Sequence, residues 1–398
     1  MTMTSKVPWP RFAANDKLLD VLAKLSRHYG ADPEFVIAGG GNTSVKDGDR
    51  LFVKGSGHAL ETISAEGFVE MDRKQLEVLL NSKLSSDRMA REAEFKAATL
   101  AARVHPEKNQ RPSVEALLHH LVPKRYVVHT HSTLVNMLTC CVKGPGIARA
   151  WAADVVWIPE VDPGFVLSKT LQRSLTDYQK ATGRSCPRAI LMQNHGLVIA
   201  GDTPEEVREH TDWVVSVLRK QMGKARNVES YGPGSRIEAA AGREMVRVIG
   251  PALRGLLSVG ENLKVVRFSD APEVIEMAAG REGRTAAVAG PITPDQIVYC
   301  KSFPMWFKPK AGATPAQLVE RLREALQIHS KRTGSAPHVI LVEGLGMFSA
   351  GDDLAGAETV RMVYTDAIKV MAGARRLGGV HYMDDDLRKF IEEWEVES

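Results

Sequence analysis

Tyr126-Val127-Val128-His129-Thr130-His131-Ser132 is an apolar run that ends in an alternating pair of histidines, and Ala189-Ile190-Leu191-Met192-Gln193-Asn194-His195-Gly196 is a second apolar run that ends in one. Both read as strands of a buried sheet. Residues i and i+2 of a strand share a face, so His129 and His131 reach one point, and His195 from a neighbouring strand end completes a facial set of imidazoles. Three protein ligands leave a coordination position open. That pattern points to a catalytic divalent-metal centre, because a structural zinc site normally fills all four positions from the protein. Zn²⁺, Mn²⁺ and Co²⁺ all accept imidazole sets, so the spacing implies zinc or another divalent transition metal without choosing the ion. The other nine of the 12 histidines, His119 and His120 among them, read as surface or internally satisfied residues.

The 398 residues exceed the usual size of one domain, and a 44% hydrophobic content is enough for sizeable cores. Lys and Arg number 52 against 48 Asp and Glu, a net charge of +4 with no long basic block. Nucleic acid is therefore not indicated, while a mildly basic surface suits a small anionic substrate. No apolar run approaches ~20 residues, and the N-terminus lacks a charged region followed by an apolar core. A cytoplasmic protein with no membrane segment is expected. Cys140, Cys141, Cys186 and Cys300 show no CxxC spacing and read as reduced thiols.

Upstream of the histidines, Asp16–Tyr29 has helical periodicity. Phe35–Ala38 and Leu51–Lys54 read as short strands separated by turn residues at Asp47-Gly48-Asp49, with glycine-rich ends at Gly39-Gly40-Gly41-Asn42 and Gly55-Ser56-Gly57. Such glycines let backbone N–H groups approach an anion, and Asn42 and Ser56 add neutral donors; ordinary tight turns are the alternative. A mixed helical region over 72–103 leads to Arg111-Pro112-Ser113-Val114-Glu115, which opens a helix reaching Leu121. Ser113 reads as its cap and Glu115 as a first-turn carboxylate, close in the chain to the His129 strand. Residues 154–158 form another strand candidate, and Thr203-Pro204-Glu205-Glu206 is a strong helix start.

The ordered motifs Gly-Gly-Gly-Asn-Thr-Ser (39–44), Lys-Gly-Ser-Gly (54–57), Pro-Ser-Val-Glu (112–115), His-Thr-His-Ser (129–132) and Asn-His-Gly-Leu (194–197) resemble the class II aldolase/adducin family. With Ile158-Pro159 and Asp162-Pro163-Gly164-Phe165, the chain is similar to the aldolase half of bifunctional rhamnulose-1-phosphate aldolase/short-chain dehydrogenase proteins, with the dehydrogenase half expected to be absent. The resemblance implies a three-layer α/β/α domain with a mainly antiparallel central sheet, followed by a smaller α/β domain. It implies metal on His129, His131 and His195, substrate phosphate on Gly41, Asn42, Ser56, Gly57 and Ser113, and Glu115 as the proton-moving acid. The activity it implies is cleavage of a (deoxy)ketose 1-phosphate to dihydroxyacetone phosphate and an aldehyde, in a homo-oligomer. Glutamate at 115 favours an aldolase over the related 4-epimerases, which carry aspartate there. A same-fold epimerase or other enediolate enzyme stays open, as does a non-catalytic adducin-like binding module, although such modules lose the ligands. The acid that protonates the leaving aldehyde has no match, with Glu160 and Asp162 weak candidates.

Thr182-Gly183 through His195-Gly196 is echoed by Thr333-Gly334 through Leu345-Gly346, and both continue to Ala-Gly-Asp (200–202 and 350–352). A degenerate second copy is expected. Extending the match backwards pairs Val127–Ser132 with Ile297–Ser302, which sets Tyr299, Lys301 and Leu345 where the three histidines stand. The second copy is then metal-free, and Tyr299, Lys301, Lys308 and Lys310 become candidates to line the pocket from the second half. The expected division is a catalytic domain over 1–235, a glycine- and proline-marked connector over 236–262, and the degenerate domain over 263–398.

Overall fold

The computed structural model describes residues 7–225 and 230–393. Residues 1–6, 226–229 and 394–398, which the domain boundaries above include, lie outside the described residues. The chain forms two compact units, the first running to Thr139 and over Lys143–Lys224, the second comprising Cys140–Val142 and the residues from Ala225 on.

In the first unit, helix α1 (Leu18–Gly30) precedes the antiparallel strands β1 (Asn42–Asp47), β2 (Arg50–Lys54) and β3 (Phe68–Asp72). Helices α2 (Arg73–Asn81), α3 (Arg88–Ala101) and α4 (Ala116–Leu121) follow, then β4 (Tyr126–Thr130), α5 (Thr133–Thr139) and α6 (Gly144–Ala148). Strand β5 (Val155–Ile158), helix α7 (Phe165–Thr182), the hairpin β6 (Ala189–Met192) and β7 (Gly196–Gly201), and helix α8 (Pro204–Lys224) complete it. The seven strands lie in the order β3-β2-β1-β4-β7-β6-β5, and only β5 and β6 run parallel. The mainly antiparallel sheet expected from the sequence is therefore present.

Strand alternation sets which way the histidines face. Val127, Ile190 and Val198 pack with Leu118 of α4 and Leu171 and Leu175 of α7 in one core. His129 is two residues beyond Val127 and so lies on the same side, where α4 begins.

Two local expectations change. Phe35–Ala38 is not a strand although Phe35 and Val36 are buried; the strand is the polar stretch Asn42–Asp47. It is tolerated in the interior because its side chains find partners: Thr43 Oγ1 meets Ser26 Oγ at 2.7 Å and Ser44 Oγ meets His119 Nδ1 at 2.7 Å. The 72–103 region opens with the end of strand β3, where Asp72 caps α2 by accepting from Lys74 N at 2.8 Å.

The second unit contains α9 (Ala239–Leu257), β8 (Val265–Ser269), α10 (Pro272–Ala279), α11 (Gly283–Val288) and α12 (Pro294–Cys300). It continues with β9 (Met305–Phe307), α13 (Pro315–Thr333), β10 (Val339–Val342), β11 (Gly346–Gly351), α14 (Leu354–Leu377) and α15 (Asp385–Glu393). The stretch read as a connector, 236–262, contains α9. Gly242, Gly250 and Pro251 sit within that helix, and its Ile249, Leu253 and Leu257 belong to the core of the unit. Burial of an apolar stripe outweighs the intrinsic cost of those residues in a helix.

The strand order β8-β11-β10-β9, with β9 and β10 parallel and the other pairs antiparallel, repeats the β4-β7-β6-β5 portion of the first sheet. Local contacts repeat as well. Gln193 N donates to Ile158 O at 2.9 Å and Glu343 N to Phe307 O at 2.9 Å; His195 N donates to Met192 O at 3.2 Å and Leu345 N to Val342 O at 3.0 Å. At both Gly144 and Gly283 an added Cβ would collide with a helix carbonyl and the rim of a tryptophan, Trp157 or Trp306. The second unit thus repeats the strand order and local contacts of part of the first, but the register inferred backwards from the sequence is corrected. Ile297–Cys300 lies in α12, a helix, while the strand occupying the place of β4 is β8. His129 lies opposite Val198, and Phe268 lies opposite Phe348, the counterpart of Val198. The positions corresponding to His129, His131 and His195 are therefore Phe268, Asp270 and Leu345, not Tyr299, Lys301 and Leu345. The backward extension fails because the second copy carries an extra helix, α12, between its first two sheet strands.

Candidate active site

His129 ends β4 with no solvent exposure, and its Nδ1–H donates to Leu197 O at 3.0 Å on the adjacent β7. That bond leaves the Nε2 lone pair to face inward, the usual way a second partner orients a ligating histidine. His131 Nε2 lies 3.0 Å from His129 Nε2, and the imidazole nitrogens of His129, His131 and His195 all fall within 4.8 Å of one another. His195 follows Asn194, whose backbone has φ 54° in the tight β6–β7 turn, and the His195 carbonyl accepts from Asn136 Nδ2 at 3.3 Å. The next residue must be glycine: a Cβ at Gly196 would sit 2.5 Å from Thr130 O and 3.1 to 3.2 Å from the His131 and His129 rings.

Glu115 stands against this triad. Its Oε2 is 3.3 Å from His129 Nε2 and its Oε1 is 3.4 Å from His195 Nε2; Asn42 Nδ2 donates to Oε2 at 2.6 Å. Burial pushes the carboxyl pKa up, but positive charge at the His129 and His195 positions and the Asn42 amide overcome that and hold it at about 2. Glu115 Oε1 is buried without a hydrogen bond. When the rings are neutral, their inward-facing lone pairs and the carboxylate repel one another unless a cation lies among them to supply that positive charge. The donor set thus fits a divalent metal ion held by three neutral imidazoles.

Of the sequence-derived phosphate positions, Asn42 and Ser113 contact Glu115, Gly41 lies beside His129, and Ser56 is tied to the segment before α4. Gly41 has φ 74°, and a Cβ there would meet His129 O at 2.7 Å, so the glycine lets β1 start directly beside the histidine strand. The Lys54–Gly57 loop is zipped to the segment before α4: Ser113 N donates to Lys54 O at 3.0 Å, Ser56 N to Arg111 O at 2.8 Å, and Ser56 Oγ to Pro112 O at 3.3 Å. Gly57 has φ 84° with open space over its Cα. Helix α4 begins at Ala116, two residues later than a cap at Ser113 implies, so Glu115 occupies the N-cap position and Ser113 Oγ accepts from its N–H at 3.2 Å. From that position the carboxylate reaches the histidines instead of capping its own helix.

Asp162 does not join this cluster. Arg88 holds it through two guanidinium nitrogens and Arg91 Nη2 reaches it at 2.9 Å, an ion-pair assembly beside the buried Glu92. Glu160, half-buried, is placed near the β6–β7 turn by its backbone N–H, which donates to Gln193 Oε1 at 3.4 Å.

Two residues escaped the sequence reading. His119, one turn beyond Glu115 on α4 and fully buried, bonds Ser44 Oγ through Nδ1 and Asn42 Oδ1 through Nε2. Because Asn42 Nδ2 must face the carboxylate, its Oδ1 must accept from His119 Nε2–H, so Ser44 O–H donates to Nδ1. Burial keeps the ring neutral, with a pKa of about 3 despite the pull of Glu115. The i, i+4 spacing of Glu115 and His119 was a readable signal. We expect His119→Phe to cost about 1–3 kcal/mol by stranding the Asn42 and Ser44 partners; urea denaturation checks this, and His119→Gln, which can still donate to Asn42, should recover part of the loss.

The second is Lys54, at the end of β2 and 7% exposed. Its ammonium makes no hydrogen bond or ion pair among the described residues; burial lowers its pKa while the Glu115 charge opposes that shift. A buried cation with no partner beside the Gly55-Ser56-Gly57 loop is poised for an anion.

Family profiles match the chain in two places: the class II aldolase and adducin N-terminal domain over residues 20–222, and the second domain of class II aldolase over residues 244–398. The uncharacterized oxidoreductase YuxG of Bacillus subtilis (strain 168) is 27% identical over 416 aligned residues, which cover 97% of this chain and 58% of that protein. The chain thus spans somewhat over half the length of this relative. Among solved structures, the N-terminal class II aldolase domain of a conserved protein from Thermoplasma acidophilum is 28% identical, with a TM-score of 0.46 over 55% of this chain and 98% of that one. L-fuculose-1-phosphate aldolase from Thermus thermophilus is 16% identical, with a TM-score of 0.32 over 50% of this chain and 88% of that one. With the first profile spanning half of its residues and the second most of the remainder, the chain belongs to the class II aldolase and adducin family.

Proposed function

We propose that this protein is a divalent-metal-dependent carbon–carbon lyase that cleaves a (deoxy)ketose 1-phosphate to dihydroxyacetone phosphate and an aldehyde. The observation that carries the reading is the Glu115 carboxylate, held by Asn42 and set within 3.4 Å of both His129 and His195. His129, His131 and His195 would hold the ion, zinc or a similar transition metal, which supplies Lewis acidity where negative charge develops on substrate oxygens. Glu115 moves the proton on the carbon that becomes nucleophilic in the reverse, aldol direction, and its ionised state suits it to act as base. Its Oε1 is the oxygen available for that transfer, since Oε2 already accepts from Asn42.

The backbone and side chains of Gly41, Asn42, Ser56, Gly57 and Ser113 bind the phosphate, and Lys54 adds a charge-assisted contact. Lys54→Gln is expected to raise KM for a phosphorylated substrate by about 10- to 100-fold with a smaller change in kcat, because the lost contact acts on ground and transition state alike. Steady-state kinetics over a range of substrate concentrations reads that split.

The similarity to the aldolase half of rhamnulose-1-phosphate aldolase fusions supports a deoxyketose substrate. On this reading the enzyme works as a homo-oligomer in the cytoplasm; no helix of the described residues is long and apolar enough to cross a membrane. The experiment is a screen of ketose 1-phosphates with metal-loaded protein, coupled to detection of dihydroxyacetone phosphate. Release of that product supports the lyase. Turnover without it points to a same-fold epimerase or other enediolate enzyme, and metal-free, inert protein to a binding module.

A further inference from the structure

The second unit has a cavity of about 450 Å³ where the C-terminal ends of α12 and α13 meet α15. Ile297 and Ile391 give it an apolar wall, and Phe303 lies under the Arg388 guanidinium, 5.2 Å from its ring centre. Among the described residues its charges are unbalanced: Lys301, Arg332, Arg388 and Lys389 line it against one carboxylate, Glu392. That carboxylate is already committed, accepting from Arg388 Nη1 at 2.7 Å and from Ser302 Oγ, while Arg388 also reaches Asp385 Oδ1 at 3.1 Å. Lys301, Arg332 and Lys389 make no side-chain hydrogen bond or ion pair among the described residues.

Lys301 adds a second, independent observation. Its backbone sits at φ 63° and ψ 162°, a conformation that glycine adopts cheaply and a residue with a Cβ does not. Ending α12 requires only that the Lys301 N–H close onto Ile297 O, as it does at 3.1 Å, and a glycine would do so without strain. The lysine there puts a cation on the cavity wall. Attraction to the helix ends accounts for cations near the last turns of α12 and α13, but neither Lys301 nor Arg332 bonds a terminal carbonyl, and Lys389 lies within α15.

We propose that this cavity binds a small phosphorylated organic molecule, its phosphate held by Lys301, Arg332 and Lys389 and its organic part against Phe303 and the isoleucines. The site shares no residue with the histidine cluster, and α12, the helix that brings Lys301 to it, has no counterpart in the first unit.

The test is calorimetric titration of the full chain with phenyl phosphate, a dianion with an apolar group and little tendency to strip metals. Wild type should bind saturably, Lys301→Gly with Arg332→Gln should bind about tenfold more weakly or worse, and Ser56→Ala with Ser113→Ala, in the first unit, should keep the binding. Lys301→Gly alone should raise the melting temperature, which separates a lost site from a lost fold. Absence of saturable binding by wild type, unchanged affinity in the Lys301/Arg332 variant, loss of binding in the Ser56/Ser113 variant, or a lowered melting temperature for Lys301→Gly overturns the proposal.

Discussion

Glu115→Gln should lower kcat by about 10³-fold while leaving the bound metal in place, since a positioned acid–base group contributes typically 10²–10⁴. Glutamine keeps the shape of the side chain and an oxygen to accept from Asn42, but it cannot take up a proton. It also removes the negative charge beside His129 and His195. Metal content by elemental analysis and kcat by product release are therefore read on the same preparation. A substitution that emptied the metal centre would mean that Glu115 serves the ion, and one that left kcat unchanged would remove it from the chemistry altogether.

The larger effect is expected for His129→Ala. It deletes the one imidazole of the three with no solvent exposure, together with the hydrogen bond its Nδ1–H gives to Leu197 O. Two histidines remain, too few for an open three-ligand site, so metal should be lost on dialysis and turnover should fall to background. Loss of that buried hydrogen bond adds about 1 kcal/mol of instability, small enough to separate by measuring the melt alongside activity. His131→Ala, on a partly exposed ring, should give the same metal loss with less effect on stability.

The parts of this architecture that are legible in the sequence are those governed by short-range rules. The His129-Thr130-His131 alternation fixes two ligands on one strand face, and Asn194-His195-Gly196 marks a turn whose following glycine is required by the close approach to Thr130. The echo of residues 182–202 in 333–352 falls on the same strand–turn–strand arrangement in both units. What was not legible depends on partners distant in sequence. Phe35–Ala38 has the composition of a strand, yet the sheet takes the polar Asn42-Thr43-Ser44, because Ser26, His119 and Glu115 satisfy those side chains.

The backward register of the repeat failed for a related reason. Ile297-Val298-Tyr299 has β-branched and aromatic residues, but Thr293 caps a helix there, accepting from Gln296 N at 3.3 Å. No local pattern could show that β8, well upstream of α12, pairs with β11. His119 and Lys54 do not stand out in the sequence because each is an ordinary residue type in an ordinary position. Only burial, and the groups around it, makes a neutral histidine or a lone ammonium informative.

On the proposed reading, Glu115 and the three histidines together form and reprotonate a carbanion equivalent of a phosphorylated ketone. That can be tested without knowing the aldehyde. Metal-loaded protein is incubated with dihydroxyacetone phosphate in D₂O, and the hydrogen on the carbon bearing the free hydroxyl is followed by proton NMR. One of the two hydrogens there should be lost, an exchange abolished by chelation, restored by added metal, and absent in Glu115→Gln. Metal-loaded wild-type protein that leaves both hydrogens in place, or a Glu115→Gln protein that exchanges as fast as wild type, would contradict that reading.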